Sequence, residues 1–444
     1  MAWPVTVIGG GLAGCEAAWQ LARRGVPVRL CEMRPVRASP AHQGDRLAEL
    51  VCSNSLRSDR PHHAVGLLHE EMRRLGSLVL DAADKHAVPA GDALAVDRER
   101  FARHVSERIA ADPLIRVERQ EVTKLPDEGL VIVATGPLTS DALARELESL
   151  CGDSLYFYDS ISPSVYADSL DGSRMFRASR WQDGEGDYLN IPLTREQYHA
   201  FVDEVARAEV VPLHEFEKAL YFEGCLPIEV MVERGRETLA FGPMKPVGLR
   251  EAHPEPGSKP PHAVVQLRQE DRDGTLYNLV GFQTKMRVGE QRRILRTLPG
   301  LENAVFARFG SAHRNTFIRS PELLDERLQH RGRDGLYFAG QIAGVEGYVE
   351  SAALGLLAGV IVAARSRGDD VPLPPRTTAM GALLAHLREA SPKRFQPMNV
   401  NFGLFPRLEG ERSRVPKRER NERMADRALR DLDAWVEHVR PESA

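Results

Sequence analysis

The chain has 444 residues, of which 42% are hydrophobic and 27% charged, with a formal net charge of −4. That length suits about two to three packed units, and the composition excludes wholesale disorder. The small negative charge gives no global attraction to nucleic acid, and five scattered cysteines without Cys-x-x-Cys or nearby histidine partners exclude a zinc site or disulfide framework, so no metal is expected.

Val5 to Ile8 reads as a buried strand, with no basic or apolar leader before it, so a cytoplasmic protein is expected. Leu12 to Arg24 is a helix stopped by Gly25, and Val26 to Cys31 is a second strand. A strand, helix, strand unit with short connections predicts parallel pairing in a Rossmann-type α/β sheet. Leu130 to Ala134, ending in Thr135-Gly136, and Gly335 to Ala339, ending in Gly340, are further members of that sheet. Between them the pattern changes to alternating stretches, such as Ala263 to Leu267 and Tyr277 to Phe282, broken by turn-rich segments. This predicts an inserted mixed α+β domain over residues 156–325, within a discontinuous cofactor-binding domain of residues 1–155 and 326–444. A small-residue helix follows from Ser351, whose apolar run, Ala352 to Ala364, is shorter than the roughly 20 residues that span a bilayer, so no membrane contact is expected. Ala425 to Val439 forms an amphipathic helix at the end.

Gly9-x-Gly11-x-x-Gly14 lies between the first strand and helix. Gly9 allows the tight turn, Gly11 lets backbone approach a pyrophosphate, and Gly14 allows close helix packing. Phosphate then sits on the helix N-terminus, formed by Gly10, Leu12 and Ala13 with their neighbours. Glu32 ends the second strand, where a carboxylate meets ribose hydroxyls. The late segment Gly335-Leu-Tyr-Phe-Ala-Gly340-Gln341 resembles the second FAD motif of flavoproteins with two-dinucleotide folds, with Gln341 in place of the usual Asp. FAD is therefore the expected cofactor, held by this loop, Gly136, Gly340, Gln341 and the helix opening at Gly347-Tyr348. The N-terminus of that helix stabilises negative charge on a reduced ring, and Tyr348 is available to stack.

Six blocks together resemble the folate- and FAD-dependent tRNA (uracil-5-)-methyltransferases, the TrmFO family. They are Leu50-Val-Cys52-Ser-Asn-Ser-Leu-Arg57, Phe222-Glu-Gly-Cys225-Leu-Pro-Ile-Glu229, Gly242-Pro-Met-Lys-Pro-Val-Gly248, Tyr277-Asn-Leu-Val-Gly-Phe-Gln283, His313-Arg-Asn-Thr-Phe317 and Phe395-Gln-Pro-Met-Asn-Val-Asn-Phe-Gly403. The related MnmG/GidA wobble-uridine proteins share the glycine loop and the Ala-Gly-Gln segment but have a longer C-terminal region. The two cysteine blocks favour TrmFO.

The resemblance implies transfer of a one-carbon unit from 5,10-methylenetetrahydrofolate to uridine 54 of the tRNA T-loop, with NAD(P)H as reductant. It also implies Cys225 as the nucleophile at uracil C6 and Cys52 as the general acid/base, an assignment that stays reversible. Conjugate addition to C6 suits a soft thiolate, and removal of the C5 proton needs a second exchangeable group. Cys15 and Cys31 are expected in the core, and Cys151 in core or loop. For RNA phosphates there are two basic regions: residues 407 to 430, with nine Arg/Lys against five Asp/Glu, and the cluster Arg287, Arg292, Arg293 and Arg296. Readings that keep only part of this pattern are an MnmG-like wobble-uridine protein, a small-molecule flavin oxidoreductase and a non-catalytic flavin-bearing RNA-binding scaffold.

Overall fold

The structure, a computed structural model, describes residues 5–39, 41–152, 155–182, 184–211, 226–249, 260–408 and 415–440, with backbone alone for 155–159, 312–314 and 394. Its first layer is a five-stranded sheet with spatial order Leu336–Phe338, Leu130–Val133, Val5–Ile8, Val28–Glu32 and Ile115–Arg119. Every pairing in it is parallel. The three strands Val5–Ile8, Leu130–Val133 and Leu336–Phe338 are short, mostly buried runs, as expected for the inside of a parallel sheet, whereas the edge strand Ile115–Arg119 is largely polar and partly exposed. The helix Leu12–Ala22 follows the first strand, and Gly25, at φ +72°, lets the chain turn back after it.

Tyr348–Ser366 is the central helix of this layer, opening at Gly347-Tyr348 as expected, three residues before its run of small residues from Ser351. At 19 residues it is the one helix among those described that is long and apolar enough to cross a membrane, and 83% of its apolar window is buried inside the fold. It packs on Leu12–Ala22 so closely that a Cβ on Gly355 would meet the Ala13 carbonyl oxygen at 2.1 Å, and one on Gly359 the Ala17 oxygen at 2.7 Å. Glycines therefore set the spacing between the two helices.

The chain leaves this layer on the strand Leu155–Ser160 and returns on Ala312–Phe317, which pair antiparallel as a double connection. Between them lies a six-stranded sheet with spatial order Phe176–Ala178, Tyr188–Leu193, Ala263–Gln269, Leu276–Leu279, Ser164–Tyr166 and Phe306–Arg308. Its pairings are all antiparallel. It has its own apolar core, built on residues such as Ile191, Phe201, Val265 and Phe282. The helix Arg195–Ala206 in this unit starts from Thr194 in a reciprocal capping box with Gln197.

The C-terminal helix runs from Lys417 to Val439, two turns longer at its start than its apolar stripe reveals. Met424, Ala428, Leu432 and Trp435 bury its inner face, and Trp435 Nε1 donates to the Pro372 carbonyl at 2.7 Å. Lys417 to Arg423 carry little apolar surface, so periodicity does not mark that first part.

Close packing at Gly355 leads to a direct test. Gly355→Val forces overpacking against Ala13 and is expected to cost about 1–3 kcal/mol. Gly289→Ala, in the helix Val288–Leu295 with nothing within 4 Å of the added carbon, is expected to be neutral or mildly stabilising. Urea midpoints at constant m-value measure both.

Candidate functional site

The glycine loop forms one wall of a cavity of about 360 Å³. Gly9 takes φ +108° with its Cβ position 2.4 Å from the Ala134 carbonyl oxygen, so only glycine makes this turn between adjacent strands. Gly14 faces back toward the loop, 1.8 Å from Gly9 O at its Cβ position, which draws the helix against the strand. Gly11 has nothing within 4 Å, no side chain caps the helix there, and its first turn carries no acidic residue. An open helix N-terminus of this kind suits an anion.

Glu32 is buried behind the loop. Its Oε2 accepts from Gly10 N–H at 2.9 Å, and its Oε1 accepts from Arg34 N–H and Nε at 2.9 and 2.8 Å. Burial acts to raise its pKa, but the Arg34 guanidinium and the backbone donors outweigh this and hold the carboxyl below its ordinary value. Arg34 in turn pairs with Glu49 at 3.0 Å.

The opposite wall carries Cys52 and the start of the helix Tyr348–Ser366. Tyr348 Oη accepts from Cys52 N–H at 2.6 Å and Ser53 N–H at 3.2 Å. Burial first, and then the neighbouring Cys52, push the phenol pKa upward, so the hydroxyl keeps its proton. Two guanidinium groups converge on the same segment. Arg98 donates to the carbonyls of Leu50 and Cys52 at 2.7 and 3.1 Å, and Arg308 to those of Val51 and Cys52 at 2.9 and 3.0 Å. Both pair with buried Glu270. Burial acts to raise the pKa of Glu270, but Arg98 and Arg308 hold it below the ordinary carboxylate range.

Asn54 is fully buried and donates to Val96 O and Gln269 O at 3.0 and 2.9 Å, while accepting from Arg268 Nε at 2.8 Å. The Cys52 segment is thereby bound to both units. The Cys52 thiol donates to Ser160 O at 3.8 Å, at the end of the outgoing strand of the double connection.

Of the residues expected at the site, Gly9, Gly10, Gly11, Leu12, Ala13, Glu32, Gly136, Gln341, Gly347, Tyr348 and Cys52 line this one cavity. Gly14 and Gly340 do not; Gly340 packs on Ala13, whose Cβ would lie 2.7 Å from a Cβ at that position. Cys225 lies outside the described residues. Cys15 is buried with its thiol on Gly10 O at 3.3 Å. Cys31 borders the cavity while 2% exposed, so it lies at the boundary between core and cavity. Cys151 is half-buried at the end of the helix Asp141–Cys151, and burial pushes its pKa up to about 11.

The basic cluster at 287–296 is engaged within the fold: Arg287 with Glu209, Arg293 with Glu204 and Glu290, Arg296 on Ala304 O, and Arg292 over the Phe309 ring. Sequence reasoning missed Arg34, Arg98, Arg268, Glu270, Arg308, Asn315 and Asn399. Asn315 and Asn399 lie in two of the blocks quoted above, whereas Arg98, Arg268, Glu270 and Arg308 lie in none. Removing Arg98 leaves buried Glu270 short of a partner, so Arg98→Ala is expected to cost about 3 kcal/mol at neutral pH. Glu270 is depressed in the fold, so its contribution is full above the ordinary carboxylate pKa and is lost as pH falls through the lowered one. The Arg98→Ala penalty should therefore shrink in acid, as urea unfolding at two pH values will show.

The family model described as "Glucose inhibited division protein A" matches residues 4–370. A methylenetetrahydrofolate--tRNA-(uracil-5-)-methyltransferase TrmFO of Geobacter sulfurreducens is 60% identical over 440 residues, covering 99% of this chain and all of that protein. The proteins of the same name from Pelobacter propionicus and Rhodospirillum rubrum are each 58% identical, covering 99% of this chain and 96% and 94% of theirs. Among solved structures, Aquifex aeolicus GidA in its form II crystal superposes with a TM-score of 0.69 at 17% identity, over 97% of this chain and 73% of that one, a likeness of fold. With its full-length identity to these relatives, the chain belongs to the TrmFO family, within the wider glucose inhibited division protein A family.

Proposed function

We infer that the chain methylates C5 of uridine 54 in the tRNA T-loop, using 5,10-methylenetetrahydrofolate as carbon donor, bound FAD and NAD(P)H as reductant, to form 5-methyluridine. The observation that carries this reading is the placement of Cys52 on the same cavity as the glycine loop, at the junction of the two units. An oxidoreductase acting on a small molecule would have no use for a cysteine whose backbone is held there by two arginines and a tyrosine. tRNA and reduced folate are the substrates of this reading, and its setting is the cytoplasm. The cofactor unit is taken as residues 1–155 and 326–444, with 156–325 facing tRNA.

The cavity fits FAD on its own chemistry. The open helix N-terminus at Gly11 receives pyrophosphate, Glu32 a ribose, and Gly136, Gln341, Gly347 and Tyr348 border the remainder. Asn315 Nδ2, buried on the cavity wall, has no hydrogen-bond partner within the protein and is a donor for the cofactor or the base. When bound, FAD supplies the two-electron reduction that takes the transferred methylene to a methyl group, with NAD(P)H as the electron source.

The chain's own residues supply the remaining steps. A thiolate adds to uracil C6, C5 attacks the methylene carbon of the folate, and a base removes the C5 proton as the bond to the folate nitrogen breaks and tetrahydrofolate departs. Two-electron reduction of the exocyclic methylene left on C5, with expulsion of the thiolate from C6, then restores the ring and leaves the methyl group. Cys225 takes the nucleophilic role and Cys52 the proton transfer. Tyr348, Arg98 and Arg308 position the Cys52 backbone from both its N–H and its carbonyl.

Unmodified tRNA incubated with methylenetetrahydrofolate, FAD and NAD(P)H is expected to gain 5-methyluridine at position 54. Cys52→Ala and Cys225→Ala are each expected to lower that rate at least ~100-fold with FAD still bound. Undiminished methylation in both variants overturns the mechanism, and modification elsewhere in the tRNA overturns the site assignment. Glu32→Gln strands part of the Arg34 pairing and weakens the ribose contact. Its FAD affinity, by fluorescence titration, is expected to drop roughly 10-fold, about 1.4 kcal/mol.

A further inference from the structure

A second cleft, of about 1260 Å³, opens at the amino end of the C-terminal helix. Its walls are the first turns of Lys417–Val439, the segment 400–408 and the start of the helix Ala64–Arg74. The lining carries Arg407, Lys417, Arg418 and Arg420 and, among the described residues, no carboxylate. This concentration of cations occurs in a chain whose net charge is −4. Arg418 has an exposed partner outside the lining, Glu422 at 2.9 Å, a solvated pair that leaves the positive field largely in place, and Arg420 is also engaged by a partner in the protein. Arg427 donates to Pro406 O at 2.6 Å and Arg407 O at 3.0 Å, fixing one wall against the helix.

The cleft also holds an unsatisfied group. Asn421 is 8% exposed and its Nδ2 donates to His62 O at 3.3 Å, but its Oδ1 has no partner. A buried acceptor without a donor is costly unless a ligand supplies one. The ligand that fits therefore carries both negative charge and a hydroxyl donor. A ribose-phosphate backbone has both, with phosphates for the cations and a 2′-hydroxyl for Asn421 Oδ1. The half-buried ring of Phe402 lies on the same lining and offers an apolar face to ribose or base.

The cleft is tied along the chain to the site described above. Asn399 lines the cofactor cavity while Val400 to Gly403, directly after it, line the cleft, and Glu350 holds Val400 N–H at 2.8 Å. We propose that this cleft binds the sugar-phosphate backbone of the tRNA substrate, away from the target base, while the uridine reaches the Cys52 cavity. The proposal rests on the reading that tRNA is the substrate.

The test uses the full-length, FAD-loaded protein and the double variant Lys417→Glu/Arg420→Glu. Filter binding of unmodified tRNA over a salt series is expected to show affinity reduced at least 10-fold. The slope of log affinity against log salt should shrink by about one to two, one phosphate contact per lost cation. In methylation assays KM for tRNA should rise while kcat at saturating tRNA is retained, and FAD content reports that the fold is intact. Asn421→Leu is expected to narrow the preference for an RNA T-arm hairpin over its 2′-deoxy counterpart.

If the double variant binds tRNA with wild-type affinity and slope while the wild type methylates it, the cleft proposal fails and the functional reading stands. If inorganic phosphate binds the cleft but tRNA affinity does not change, the cleft is a small-anion site and the proposal again fails. A wild type that neither binds nor methylates tRNA overturns both.

Discussion

The position of Cys52 depends on charge buried at the junction of the two units. Arg98 comes from the cofactor layer, while Arg308 and Glu270 come from the inserted sheet, and the two guanidinium groups meet on the carbonyls of residues 50 to 52. Buried ions need partners, so the pairing is satisfied only when the two units dock in this one arrangement. The cysteine is thus positioned by domain docking rather than by its own loop. Asn54, two residues on, adds neutral hydrogen bonds that span the same junction.

Close backbone approach governs the other wall. Gly9 and Gly14 draw the first helix onto the sheet, while Gly355 and Gly359 let the central helix lie against it. Two helix N-termini, at Gly11 and Gly347, then open on a common cavity. Dipoles from both ends favour negative charge there, which suits a pyrophosphate at one and an electron-rich ring at the other. Tyr348 ties the central helix to the Cys52 segment, since it begins that helix and its hydroxyl accepts from the Cys52 backbone. Its hydrogen bonds assign it a positioning role that stacking alone does not describe.

The cavity and the basic cleft divide the work of recognising a large substrate. The cavity is the smaller of the two, with the glycine loop as one wall, a mainly apolar lining and a few polar groups, suited to a cofactor and one base. The cleft is wider and cationic, suited to a backbone that carries no sequence information. Joining them through residues 399–403 ties the position of the backbone to that of the base.

The sequence by itself determined the parallel strand-helix-strand unit, the glycine turn and the acidic residue behind it. These follow from side-chain periodicity and from glycine stereochemistry, which act over a few residues. It also marked Cys52, through the block in which that residue stands. The group that holds Cys52 was not legible, because Arg98, Glu270 and Arg308 show no local pattern and Arg308 reaches Val51 across 257 residues of chain. The sequence likewise singled out both basic regions without separating them. Only tertiary structure decided that the cations at 287–296 lie beside carboxylates, a carbonyl and a ring, while Arg407, Lys417, Arg418 and Arg420 share a cleft with an unsatisfied acceptor. The physical reason is that a charge's role depends on which partners folding brings within hydrogen-bonding distance, and the spacing of residues along the chain does not encode that.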